Sequence, residues 1–344
     1  MNLVLNFLLQ NWQRLGMQSF GEPAGLTAVV ATPRFQASAH LIFFVLTAGN
    51  PKPILVVKVP RLPGDTGRLD REAENLRAVH AVRPGGFDSI PKVMAYEDYL
   101  DNRLLVETAL AFPTMRPSVV RHQPEVCVEA LFKWLLDLHM ASARPNSEND
   151  NWFQRLAQQP LIELENWLPV TSSEKSLFDR TRESAAMLTD SALPLVVEHG
   201  DLSSPNILID EQNQIGVVDW ELAEPAGVPV VDLIFFLTYV AFSRRNACKT
   251  AEYLSAFTEA FFGQKAWAVP HLLRYCEAMQ ISPAALRPLF LLCWAGYVAG
   301  LVQRLKQHED PDQKLSTDQV NWLRSNRFYI LWKFSIAHVS DLAF

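Results

Sequence analysis

The apolar residues of this chain change their period once, and that change constrains the fold more than any single motif. In the first hundred residues the runs AHLIFFVL (39–46), PILVVKV (53–59), PKVMAYED (91–98) and RLLVET (103–108) are short, β-branched or aromatic, and punctuated by Gly, Pro and Asn, which is the pattern of strands. One helical stretch, roughly 68–82, interrupts them. From about residue 125 the period becomes helical, through VCVEALFKWLLDLHMA, WFQRLA and EKSLFDRTRESAAML to the end. A small sheet lobe, residues 1–108, thus precedes a large helical lobe, residues 109–344, with the join in a loop bracketed by Pro113 and Pro117. A chain of 344 residues is long enough for two such lobes. No repeat or low-complexity tract appears, and RPNSENDN (144–151) reads as an exposed loop.

Composition excludes several classes. The 31 basic and 37 acidic residues give a net charge of −6, without the basic excess of a nucleic-acid-binding protein. Cys127, Cys248, Cys276 and Cys293 lie far apart with no C-x-x-C pair, which suits buried thiols in a reducing cytoplasm rather than a disulfide framework or a zinc site. The apolar start MNLVLNFLLQNW lacks the leading positive charge and cleavage site of a signal peptide, and reads as a short amphipathic helix packed on the body. VVDLIFFLTYVAF (230–242) and PLFLLCWAGYVAGL (288–301) are too short to span a bilayer and read as core helices, so no integral membrane segment is expected.

Chemistry concentrates in EHGDLSSPN (198–206) and VVDWE (217–221). LPLVVEH (193–199) reads as a strand entering the first cluster. NILID (206–210) and IGVVD (215–219) flank the polar EQNQ, a hairpin signal. If residue 210 faces 215, Asn206 faces Asp219 with Cβ atoms about 5 Å apart. An amide oxygen and a carboxylate that close suit a hard cation such as Mg²⁺. Asp201 sits in the loop feeding the hairpin. Taken singly, Asp201 caps a turn and Asp219 ends a strand; the joint spacing H-x-D-x₄-N, hairpin, D asks for more.

Lys58 is the only charge in ILVVKV, and an isolated mid-strand Lys is usually solvent-facing. The next helix changes that reading. With Leu69 at 0° and about 100° per residue, Ala73, Leu76 and Val79 fall near 40°, 340° and 280°, a single apolar stripe. Glu72 falls near 300°, inside the stripe, and Glu74 near 140°, opposite it. An inward carboxylate needs a cation, and Lys58 is the candidate.

The set Lys58, Glu72, HGDLSSPN and VVDWE resembles the protein-kinase-like fold, and within it the aminoglycoside phosphotransferase and choline kinase group, which shows H-G-D-x₄-N and D-W-E or D-x-E at these places. The resemblance covers roughly residues 25–305. It implies a bilobal α+β fold with a small antiparallel sheet, and an ATP- and Mg²⁺-dependent transfer of the γ-phosphate to a hydroxyl of an amine-, sugar- or choline-like acceptor. By the same resemblance Asp201 accepts or orients the acceptor proton, Asn206 and Asp219 hold Mg²⁺, and Lys58, fixed by Glu72, binds the α/β-phosphates. Leu105–Thr108, including Val106, Glu107 and Thr108, form the strand whose backbone meets adenine. His199 braces the loop, His139 at the end of LLDLH is structural, and Asp232 braces or caps the catalytic loop.

Two departures stand out. The stretch VVATPRFQASAH (29–40), where the phosphate-covering loop should fall, contains no Gly. The Gly-Asp-Pro often found after D-W-E is here Gly227-Val228-Pro229. The glycine-free loop keeps open an inactive nucleotide-binding protein on the same scaffold, and a nucleotidyl transferase is a more remote alternative. Glu221, Glu224, Trp220, Trp134, Trp152 and Trp167 would suit a cationic acceptor if they gathered at the site, and are otherwise core or solvated residues.

Overall fold

The β-branched runs of the first hundred residues form one antiparallel sheet of five strands, β1 (Thr27–Ala31), β2 (His40–Leu46), β3 (Leu55–Pro60), β4 (Val93–Tyr99) and β5 (Asn102–Thr108), in the order β1-β2-β3-β5-β4. A computed structural model describes residues 2–23, 25–31, 40–147, 150–189, 191–306 and 313–344. Most of the stretch expected to cover phosphate, residues 32–39, lies outside the described residues. The chain divides into two compact units, Met1–Met115 with Pro205–Pro225, and Arg116–Ser204 with Ala226–Phe344. The segment carrying Asn206 and Asp219 therefore belongs to the sheet unit.

Alternation along the strands gives that sheet two different faces. Leu55, Val57, Val59, Leu104 and Val106 pack with Val4, Phe7, Leu8 and Trp12 in one core. These last four lie on or next to helix α1 (Leu3–Asn11), whose first turn is capped where Asn2 Oδ1 accepts the Val4 N–H at 2.9 Å. The amphipathic start of the chain is thus core, and burying each such side chain is worth about 1.5–3 kcal/mol. The other face meets helix α2 (Gly67–Ala81), where Leu69 and Ala73 pack on Leu105. Lys58 pairs with Leu105 across β3 and β5, so it stands on the α2 face. The buried residues of α2 are Leu69, Glu72, Ala73, Leu76 and Val79, the stripe expected from the sequence, Glu72 included.

The second unit holds α3 (Pro117–His122), α4 (Pro124–Ser142), α5 (Gln159–Trp167), α6 (Ser172–Ala186), α7 (Val231–Arg245), α8 (Thr250–Phe261), α9 (Val269–Met279), α10 (Leu286–Lys306), α11 (Thr317–Ser325) and α12 (Arg327–Ala337). Pro194–Glu198 forms the strand expected ahead of the first motif and pairs with Arg144–Pro145. At 21 residues α10 is longer than its apolar run suggested, so length does not separate it from a membrane span. Burial does: 78% of its most apolar window is inside the protein, among α5, α6, α7 and α12. Cys127, Cys276 and Cys293 are free and buried, whereas Cys248 is free but exposed.

Candidate active site

The hairpin that carries the second motif pairs Ile207–Ile209 with Ile215–Val217, in the register Ile207↔Val217, Leu208↔Gly216 and Ile209↔Ile215. This is one residue tighter than the sequence suggested, because residue 210 meets 214 rather than 215. Asp210 Oδ1 accepts the N–H groups of Gln212 (2.9 Å) and Gln214 (2.7 Å), and Asp210 N–H donates to Gln214 O at 3.1 Å. With Asn213 at φ 62°, the turn closes over three residues instead of four. Asn206 consequently lies opposite Val218, whose N–H donates to Asn206 O at 3.0 Å. Asp219 sits one residue beyond the ladder at φ 69°, a left-handed conformation that Asp and Asn tolerate better than other side chains. The left-handed residue takes Asp219 out of the strict two-residue alternation of the strand.

Around Lys58 the sheet unit gathers three carboxylates. Lys58 Nζ donates to Glu72 Oε1 and lies 3.3 Å from Glu107 Oε1, and Asp219 acts on it electrostatically. Lys58, Glu72 and Glu107 are 5%, 0% and 3% exposed. Burial disfavours the Lys58 charge, but Glu107, Glu72 and Asp219 together raise its pKa and hold it protonated. Glu72 is pushed up to about 8, first by burial and then by Glu107 and Asp219, against the pull of Lys58. Burial also raises Glu107 and Asp219. One ammonium cannot neutralise two buried carboxylates and the half-buried Asp219 together, so the cluster carries a surplus of negative charge that a further cation would relieve.

Helix α2 also fastens the D-W-E segment. Glu72 Oε1 accepts the Trp220 N–H at 3.3 Å, and Asn75 Nδ2 donates to Trp220 O (2.8 Å) and Ala223 O (3.0 Å). Trp220 is fully buried, with its indole N–H on Val217 O at 3.1 Å. Glu221 is met by His40 Nε2 at 3.2 Å and Arg68 Nη1 at 3.4 Å, which hold its pKa down against the effect of burial. Trp220 and Glu221 are therefore structural, not part of a cation-binding wall.

In the second unit Asp201 sits in a loop held from beneath. Asp232, fully buried near the start of α7, accepts the N–H of His199 at 2.6 Å and of Gly200 at 3.0 Å. Burial raises Asp232 to about 6, while the two N–H groups favour its ionised form. His199 Nδ1 accepts the Asp201 N–H at 3.2 Å, and the following Leu202 is fully buried. Ser203 Oγ donates to Asp201 Oδ1 at 3.3 Å. Gly227 is needed in the same unit, since a Cβ there would lie 2.5 Å from Glu198 Cβ. His139 is fully buried against Tyr275 Oη at 2.5 Å and is lowered to about 3 by burial, consistent with a structural ring.

Val106 and Thr108 occupy β5 as expected, but that strand is committed to its neighbours. Val106 pairs with Val57 and Ala95, Thr108 N–H donates to Lys92 O at 2.9 Å, and Ala109 N–H to Ile54 O at 3.1 Å. The Glu107 side chain was missed as a partner of Lys58. The signal was present: Glu107 stands two residues from Leu105 on β5, on the face that Lys58 occupies on β3.

A five-stranded antiparallel sheet with an inward Lys–Glu pair, and a helical unit with a braced Asp loop, define a protein-kinase-like fold. The profile of the phosphotransferase enzyme family matches residues 36–273, more than half of the chain, and the chain belongs to that family. Among solved structures it is similar to choline kinase LicA from Streptococcus pneumoniae, at 14% identity over 95% of this chain and 98% of that one, with a TM-score of 0.56. It is also similar to a thermostable mutant of aminoglycoside phosphotransferase APH(4)-Ia in ternary complex with ADP and hygromycin B (13% identity, 94% and 98% of the chains, TM-score 0.55). A third similar structure is the amicoumacin kinase hAmiN in complex with AMP-PNP, Ca²⁺ and Ami (14% identity, 99% and 97%, TM-score 0.54). No curated protein sequence matches the chain. At such identities these likenesses speak for the fold.

Proposed function

We propose that the chain transfers the γ-phosphoryl group of ATP, with Mg²⁺, to a hydroxyl of a small molecule. The observation that carries the reading is the double role of Glu72. One buried carboxylate accepts both from Lys58 and from the backbone of Trp220, next to Asp219, and so ties a phosphate-binding cation to a metal-binding segment. Lys58 has a donor left for the α/β-phosphates. Asn206 and Asp219 would hold Mg²⁺ on the phosphates, where it supplies neutralisation of developing charge. Their hard oxygens fit that ion, and so does the surplus of carboxylates. Among the described residues no three His, Cys, Asp or Glu gather as a self-sufficient metal centre, and Mg²⁺ typically takes only one or two carboxylates from the protein and the rest from phosphates and water.

Asp201, held by the His199–Asp232 brace, takes the proton of the acceptor hydroxyl as its oxygen bonds to the γ-phosphorus. The bond from that phosphorus to the β–γ bridging oxygen breaks, and ADP leaves with the electron pair. Positioning and charge neutralisation provide most of the rate in such chemistry. With β5 paired through the Ala109 N–H, the base-contacting backbone falls at the end of β5 and just beyond it. The residues proposed for nucleotide binding are Lys58, Glu72 and the backbone from Val106, Glu107 and Thr108 onward. Isothermal titration tests the reading: ATP binds wild type only with Mg²⁺, and Asp219→Asn, whose side chain tolerates the left-handed backbone, folds but loses the Mg²⁺-dependent ATP binding. Equal ATP binding by wild type with and without Mg²⁺ refutes it.

A further inference from the structure

A cavity of about 350 Å³ lies wholly within the second unit and opens beside the Asp201 loop. Its volume is that of a small-molecule site. Ser203 and Ser204, two and three residues after Asp201, line one end, and Ser203 is hydrogen-bonded to the Asp201 carboxylate. Phe235, Tyr239 and Phe242 of α7 and Phe328 of α12 supply aromatic walls, with the Phe235 and Phe328 rings 5.5 Å apart. Two guanidinium groups, Arg121 and Arg327, complete the lining, and no Asp or Glu is among the described residues that line it.

These arginines differ from six others on the surface, though Arg244 likewise lies over a ring, that of Trp267, at 4.8 Å. Arg14, Arg144, Arg182, Arg245, Arg274 and Arg324 each pair with a carboxylate. Arg121 instead donates to the neutral Asn246 Oδ1 at 2.7 Å and Ser243 O at 3.5 Å. Arg327 lies over the rings of Phe328 (4.8 Å), Tyr253 (5.9 Å) and Phe242 (6.0 Å), and forms no ion pair among the described residues. A guanidinium on aromatic faces without an ion pair, beside a second one held only by neutral oxygens, is able to receive a planar anion. An ammonium-bearing acceptor would meet two positive charges in the lining, against the single carboxylate of Asp201 beside Ser203.

We propose that this cavity is the acceptor site and that its acceptor is anionic: a hydroxylated small molecule with a flat apolar body and one carboxylate or phosphate, the anion on Arg327 and Arg121 and the hydroxyl toward Ser203 and Asp201. This rests on the phosphotransferase reading and narrows it, away from the amine-like acceptors that the family resemblance suggested.

The test is calorimetric binding to the full chain of matched probes: 3-phenyllactate, the neutral 3-phenylpropane-1,2-diol, the cationic 1-amino-3-phenylpropan-2-ol, and phenyl phosphate. The expected result is that at least one anion binds about tenfold or more tightly than the diol, the usual gain from a charge-assisted hydrogen bond. The amine binds more weakly than the diol, and Arg327→Gln lowers anion binding about tenfold more than it lowers diol binding. The tighter of the two anions identifies the group recognised. Equal binding of acid, diol and amine, tighter binding of the amine, no binding of either anion, or anion binding unaltered by Arg327→Gln overturns the proposal. Mg²⁺-dependent ATP binding, measured alongside, separates the two readings: its absence with the anion preference intact defeats the phosphotransferase reading alone.

Discussion

Replacing Glu72 by Ala removes a fully buried carboxylate that serves both Lys58 Nζ and the Trp220 N–H. Stripping one partner from a buried ion pair costs about 3–5 kcal/mol. Glu107, 3.3 Å from Lys58, remains and keeps that share near the low end. The orphaned Trp220 N–H adds about 1 kcal/mol, for a total of about 4 kcal/mol. Glu72→Gln has a different expectation. The amide oxygen still accepts from both donors, and Glu107 and Asp219 still neutralise Lys58, so the loss is under about 1 kcal/mol. Urea unfolding followed by circular dichroism, with equal slopes, measures both. The gap of about 3 kcal/mol is more than a hundredfold in the folding equilibrium. If Glu72→Gln is as destabilising as Glu72→Ala, the cluster has no surplus of negative charge and the electrostatic argument fails.

Asp201→Asn keeps shape but loses the proton acceptor, so turnover drops about 10²–10⁴-fold while ATP affinity stays near that of wild type; turnover near wild type removes Asp201 from the mechanism. Asp232→Asn leaves an amide with one acceptor oxygen where two N–H groups must be served, so kcat falls with little change in the KM for ATP, and an unchanged kcat shows that the brace is dispensable. His139, lowered to about 3 in the folded state against an ordinary 6.5, stays neutral while the unfolded chain protonates. Its stability contribution is full above pH 6.5 and is lost as pH falls toward 3, with about 2 kcal/mol gone by pH 5. Nitrogen NMR of the ring should show a neutral imidazole at pH 5, and a protonated ring there contradicts the burial argument.

Legibility in the sequence followed the range of the interactions. Periodicity announced four of the five strands, missing β1, whose residues 29–31 fall in the stretch expected to be a loop, and turned Glu72 rather than Glu74 inward, because burial along α2 repeats every 3.6 residues and the stripe is unbroken from Leu69 to Val79. The braced loop was readable from H-G-D and the later Asp232. The hairpin register was not, because it depends on Asp210 folding its own turn and on Asn213 going left-handed, which a count of polar residues does not reveal. Glu107 was read as backbone because the family resemblance drew attention to the strand end and away from its side chain. Trp220 looked available for a ligand, but its side chain is fully buried in the D-W-E segment. The cavity beside Asp201 was out of reach altogether: its walls come from residues as distant as Arg121, Ser204, Tyr239 and Phe328, brought together only by helix packing.

The central claim is phosphoryl transfer, and ³¹P NMR of the full chain with ATP, Mg²⁺ and a set of hydroxylated acids, sugars and amino alcohols tests it most directly. The account predicts a new phosphomonoester resonance with at least one acceptor, growing in step with ADP and absent with Asp201→Asn. Tight Mg²⁺-dependent ATP binding with no phosphomonoester from any acceptor contradicts it, and identifies the chain as a nucleotide-binding protein on a kinase scaffold.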